Sequence, residues 1–232
     1  FGPSKMSFYN LIKHSLSIMS VFRKTFLIRS ALFIILYILL IKSNASIITA
    51  FPLVLLFIAI IFFGRILPHP YNFTPLIAIA LLSGHTLPNK FLAIYAPLFG
   101  FWLSDLVINN IVYAGYYSNF TIFSSGMIWS YGAILIIALF GKSFINKISS
   151  SKIALASLSG STIFYLISNF GVWALSPMYA KTVLGLIQCY TLSLPFYATS
   201  LMGDLLYCSL LFGAYQLVIS NNPNFLISKS KT

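Results

Sequence analysis

Apolar runs long enough to cross a bilayer recur along this chain, and that recurrence limits the fold more than any other feature. Spanning the hydrocarbon core takes about 20 apolar residues in a helix. Runs near that length fall at 47–66, 91–112, 127–145, 153–175 and 196–219. A shorter one at 26–41 carries Arg29 and is closed by Lys42. Across all 232 residues, 59% are hydrophobic and 7% charged, and mean hydropathy is +0.94. A soluble fold of this size needs more polar surface than that. The composition also excludes a disordered tail and a secreted disulfide scaffold. The expected fold class is all-α: a polytopic membrane protein with a six-helix transmembrane core at 46–220. An N-terminal basic segment with an extra hydrophobic helix precedes it at 1–45, and a polar tail follows at 221–232.

The connecting segments refine that layout. Residues 67–75 hold Pro68, Pro70 and Pro75, which break helix and favour extended or turn backbone. Residues 76–87 are apolar but few, and read either as a short crossing helix or as a re-entrant one. Residues 176–195 read as a connector with a short interfacial helix at 182–190, ahead of a last span at 196–219. Lys and Arg number none in loop 113–125, three in 141–152, one in 176–195 and two in the tail. By the positive-inside rule, 141–152 and the C-terminus then face the cytoplasm or matrix, and 113–125 and 176–195 face the other side. If 76–87 crosses, Arg65 and His69 face outward and the run at 26–41 lies along the surface. If 76–87 re-enters, the first run spans.

Fourteen Lys and Arg against two acids give a net charge of +12. The basic residues sit on loops and helix ends, so the charge fits positive-inside topology and attraction to anionic lipid headgroups, and nucleic acid is excluded as a partner. Cys189 and Cys208 have no metal-like spacing and read as small buried hydrophobes. Phe1 stands where a start Met is usual, and Gly2-Pro3-Ser4 fits the remnant of a cleaved tag. The stretch 5–29, basic and free of acids, fits an organellar presequence equally well.

Charged and polar groups inside apolar helices mark the candidate site, because each costs about 2.5–3.5 kcal/mol near the bilayer centre unless paired or hydrated. With six core helices, Arg65, His69, Asp105, Asn169, Trp173 and Asp204 all approach the outer face. The proline-rich segment with Tyr71 and Asn72 caps them. Bland readings stand beside each of these. Asp105 reads also as a helix-end residue near water, Asp204 as a carboxyl satisfied by Ser200 or Thr199, and Arg65 as a snorkelling side chain. His69 reads as a turn residue rather than a metal ligand. Gly160, Ser161, Gly171 and Gly203 read first as helix-packing contacts. His85 is assigned nothing. No catalytic constellation, metal-ligand spacing or phosphate-cradling loop appears, so no enzyme activity and no cofactor are expected.

Four motifs in order carry a resemblance. They are Arg65-Ile66-Leu67-Pro68-His69-Pro70-Tyr71-Asn72-Phe73-Thr74-Pro75, Trp102-Leu103-Ser104-Asp105, Ser168-Asn169-Phe170-Gly171-Val172-Trp173 and Leu201-Met202-Gly203-Asp204-Leu205. Over 47–216 the chain resembles an uncharacterised family of integral membrane proteins labelled transport proteins. More loosely it resembles the substrate-binding S component of energy-coupling factor (ECF) vitamin transporters, with an acid closing the third helix and Gly-Asp-Leu in the last. The added element at 6–45 departs from that pattern. The resemblance implies a membrane subunit that takes up a vitamin or related small nutrient, alone or with a membrane-embedded energising module.

In that reading Arg65 meets an anionic or carbonyl group, Asp105 and Asp204 meet donors on the ligand, and Asn169 orients it. Trp173 and Tyr71 supply stacking area, and 67–75 acts as a lid. The expected location is a bacterial inner membrane, or alternatively the mitochondrial inner membrane. The rival reading is a structural subunit of a large membrane complex, its polar groups paired with neighbouring subunits or lipids.

Overall fold

Prolines and uncharged runs set the element boundaries. The computed structural model describes residues 50–221 except 88 and 118, so the expectations for the N-terminal segment and for the tail beyond 221 fall outside the described residues. Every regular element described is helical. In chain order these are α1 (Ala50–Ile66), α2 (Leu76–Thr86), α3 (Lys90–Val107), α4 (Met127–Phe144), α5 (Ser150–Leu175) and α6 (Val183–Asn221). A π-helical turn, Ile108–Val112, extends α3.

The all-α expectation holds among the described residues and six helices are present, but fewer than the expected six are long and apolar enough to span by themselves. Four helices are long and apolar enough to cross a membrane: α3 with its π turn, α4, α5 and α6. Helices α1 and α2 are apolar but shorter, at 17 and 11 residues. The prolines explain α2. Pro75 stands at its N-cap, and Leu87, extended at φ −79° and ψ 127° ahead of Pro88, ends it.

The second correction is α6. The expected connector with a separate helix at 182–190 is instead the start of one 39-residue helix, with Pro195 inside it. The loop before it shrinks to 176–182. A proline within a helix removes one hydrogen bond and does not have to end it where apolar packing continues on both sides. Thr162 and Tyr197 meet at 2.9 Å, and the Tyr165 hydroxyl donates to the Tyr190 carbonyl at 2.6 Å, so α5 holds α6 on both sides of that proline.

Helix α2 is the centre of the bundle. Ten of its eleven residues are buried, and it packs against all five other helices. Its closest approach is to α4, where two glycines bring the backbones together. A Cβ on Gly84 would collide with the Ala138 carbonyl and the Lys142 amide, and one on Gly141 would sit 2.5 Å from the Leu81 carbonyl oxygen. Small residues at such crossings are how helices associate where no hydrophobic effect drives them. The outer surface is apolar in turn. Ile128, Leu166, Val183, Ile187 and Leu192 are all exposed. So many exposed large apolar side chains are compatible with a membrane surrounding.

The chain folds up and down, so the ends of the bundle differ. One end gathers the C-termini of α1, α3 and α5 with the N-terminus of α4. The other gathers the C-termini of α2 and α4. There the Lys142 ammonium donates to the Leu87 carbonyl at 3.2 Å, and the His85 ring nitrogen Nδ1 meets the Ile145 carbonyl at 2.6 Å. His85, which sequence reasoning left without a partner, thus ties α2 to the turn after α4, with Phe212 and Tyr215 beside its ring. Of the six Lys and Arg described, Lys90, Lys142, Lys147 and Lys152 fall at this second end, against Arg65 and Lys181 at the first.

Candidate functional site

Arg65 closes α1 because Pro68 and Pro70 stop that helix just beyond it, and its side chain reaches across to α3. Its Nη1 donates to the Asp105 carboxylate at 2.6 Å, to the Ser104 hydroxyl at 2.5 Å and to the Phe101 carbonyl at 3.1 Å. The guanidinium carbon lies 4.2 Å from the centre of the Phe101 ring. The second Asp105 oxygen accepts from the Tyr131 hydroxyl of α4 at 3.0 Å. Arg65 and Asp105 have side chains only 16% and 10% exposed, so this is a buried pair that joins three helices. Asp105 is therefore not a helix-end residue in water, and Arg65 is not snorkelling.

All three Arg65 bonds use Nη1. No other described residue takes a hydrogen bond from Nε or Nη2. Arg65 itself borders a cavity of about 320 Å³. His69, Tyr71, Asn72 and Asp204 line the same space, which the N-terminal turn of α2, Leu76 and Ile77, also borders. Five of the eight site candidates thus share one cavity.

The segment 67–75 forms one wall. Asn72 holds a left-handed φ of 59°, which asparagine tolerates. Phe73 lies against Gly203, where a Cβ would come within 3.0 Å of its ring, and against Tyr207 at 5.7 Å between ring centres. Tyr71 is exposed and meets Phe196 edge-on at 6.3 Å. The two ring nitrogens of His69 face the carbonyls of Arg65 at 3.0 Å and Pro70 at 2.7 Å, so the histidine ties the turn together.

Asp204 is 1% exposed and sits mid-way along α6. Its Oδ2 accepts from Ser161 at 2.7 Å and from Ser200 at 3.2 Å. Thr199 does not contribute, because its hydroxyl donates to the Pro195 carbonyl. Among the described residues no cation lies within ion-pair distance of Asp204; Arg65 with Asp105 is the one pair found there.

Asp105 and Asn169 belong to adjoining spaces. Asp105 lines a second cavity of about 460 Å³, which shares Arg65 and Phe101 with the first and is bordered by serines of α4 and α5. Asn169 donates to the Tyr165 carbonyl one turn back and lines a third cavity of about 230 Å³, which shares Asn72 and Ser200 with the first. Trp173 stands apart from all three. Its indole N–H donates to the Ala180 carbonyl at 3.0 Å, and the Lys181 ammonium lies 5.8 Å from its ring. Lys181 also donates to the Trp173 and Ser176 carbonyls, so this tryptophan closes the α5–α6 turn.

Sequence reasoning missed Tyr131 and Ser104, and read Ser161 only as a packing residue. Ser104 could have been found as the neighbour of Asp105, one helix turn past Phe101. Tyr131 gives no such signal, since one tyrosine in an apolar helix looks like any other. Cys189 and Cys208 are buried free thiols. Among the described residues no group of three or more His, Cys, Asp or Glu is placed to hold a metal.

Neither the curated proteins nor the solved structures include a match to this chain. Residues 45–225 match a protein family described as a family of unknown function (DUF6580). The match takes in all six helices and every residue of the three cavities, and this chain therefore belongs to that family.

Proposed function

We propose that this chain is an integral membrane protein that binds a small organic nutrient, a vitamin or a related molecule, for uptake. The observation that carries the reading is a pairing. Arg65 and Asp204, charged residues from opposite ends of the described chain, line one cavity inside a bundle with an apolar exterior. A charge held near the bilayer centre has a cost of about 2.5–3.5 kcal/mol, which a structural role alone leaves unexplained for Asp204. The volume of about 320 Å³ suits a small ligand.

The charge asymmetry supports an outward-facing pocket. Four of the six described Lys and Arg gather at the end opposite the cavity mouth, and that end takes the cytoplasmic or matrix side by the positive-inside rule. On that topology all six helices traverse the protein, the short α2 completing its crossing with the extended segments on either side. Irregular backbone at such depth is tolerated where it lines a cavity, as 67–75 does. Asp105 acts as a positioning residue, holding Arg65 with Tyr131, and leaves Arg65 and Asp204 to meet the ligand. Tyr71 and Asn72 form the wall that opens and closes.

Native mass spectrometry of the protein released gently from its own membrane tests this. A small molecule bound to the lone chain, or to the chain with an energising module, supports uptake. A stoichiometric assembly with many other subunits and no small molecule overturns it, and makes the cavity a subunit contact.

A further inference from the structure

Resting on the pocket just described, we propose that its ligand is a small zwitterion with an apolar body. A cationic amino group pairs with Asp204, and a carboxylate, or a carbonyl in its place, meets Arg65.

The argument for a cation begins at Asp204. Its carboxyl is 1% exposed, and both hydroxyls that support it reach the same oxygen, Oδ2. One of these, on Ser161, has a second acceptor in the Ser157 carbonyl at 2.9 Å and cannot donate its single proton to both at once. Oδ1 receives no hydrogen bond from the described residues, yet Asp204 lines the cavity. A buried carboxylate without a cation is strongly disfavoured, so the group either holds a proton or gains its cation from an occupant of the cavity.

The argument for an acceptor begins at Arg65. Arg65 lines the cavity, and its three hydrogen bonds to the described residues all use Nη1, which leaves Nε and Nη2 without an acceptor among those residues. The first turn of α2 borders the same space, and Pro75 provides no side-chain cap for its amides, so the positive end of a helix dipole adds to the guanidinium. The lining also includes the apolar side chains of Ile77, Phe101, Ile108 and Phe164. Arg65 is already balanced by Asp105, which leaves Asp204 as the acidic group with no cation beside it among the described residues. The amino group is therefore the feature the pocket discriminates most strongly.

The test uses the full chain in lipid nanodiscs and matched probes: phenylalanine and 4-(aminomethyl)benzoate, each with its N-acetyl and its carboxamide form. Binding is read by calorimetry and by thermal shift. The parents are expected to bind, and N-acetylation to weaken binding about tenfold or more, because it leaves a buried charge unpaired. The carboxamides, which keep an acceptor for Arg65, should lose less. In Asp204→Asn the parent should lose its advantage over the N-acetyl form; should that variant not fold, the probe series on the unaltered protein decides alone. If N-acetyl forms bind as well as the parents, or if no probe binds while another small molecule is found on the native protein, the zwitterion assignment fails and the pocket stands. If no probe binds and nothing small accompanies the native protein, both fail.

Discussion

Arg65 commits a single guanidinium nitrogen to three acceptors on α3, and Asp105 divides its two oxygens between Arg65 and Tyr131. Removing one partner of such a buried pair leaves the other charge without compensation, at a cost of about 3–5 kcal/mol. Asp105→Ala should therefore lower the unfolding temperature in detergent sharply. Tyr131→Phe deletes one hydrogen bond to a charged group and should cost about 1.5–3 kcal/mol. Replacing both charges, Arg65→Met with Asp105→Leu, should recover much of the loss while abolishing ligand binding. Denaturant titration of the four proteins checks the order, and an Asp105→Ala protein as stable as the parent would remove the pair from any structural role. That the two acids and Arg65 stand within apolar helices was legible from the sequence, since charges are so rare in this chain. Their partners were not. Arg65 and Asp105 stand 40 residues apart, and a pairing over that span depends on which helices become neighbours.

Among the elements, α2 and α6 show opposite sides of reading prolines. Around α2 the prolines mark real ends, because 67–75 has several of them and no apolar run through which a helix could continue. In α6, Pro195 stands alone between apolar turns, and the helix passes through it. Local sequence cannot separate the two cases when the deciding factor is packing against α5. The α2–α4 contact makes its own prediction. Gly141→Val places a side chain against the Leu81 backbone, which cannot yield as a flexible side chain would, whereas Gly132 on the same helix has nothing within 4 Å of an added Cβ. The valine variant should express poorly or melt well below the parent, and Gly132→Ala should melt close to it. Equal melting temperatures for both would mean that the close crossing does not hold the bundle together.

At the scale of the whole molecule, the lysine-rich end and the cavity end should face opposite compartments. Lys147→Cys and Tyr116→Cys, made in a background with Cys189→Ser and Cys208→Ser, place a single thiol in an exposed position at each end. A membrane-impermeant maleimide applied to intact cells should label the position-116 variant and spare the position-147 variant until the membrane is opened. The reverse pattern would turn the pocket inward. The architecture also bears on how the protein is made. Helix α2 is the most enclosed element, yet at 11 residues it falls well short of the roughly 20 that the membrane-insertion machinery recognises as a span. It cannot be threaded in by its own hydrophobicity. Its place in the middle exists only when α3 to α6, which follow it in synthesis, are in the bilayer around it. On the membrane topology proposed above, the nascent chain must therefore keep its future centre waiting at the membrane boundary until the later helices arrive, and completion of the cavity becomes the last act of biogenesis.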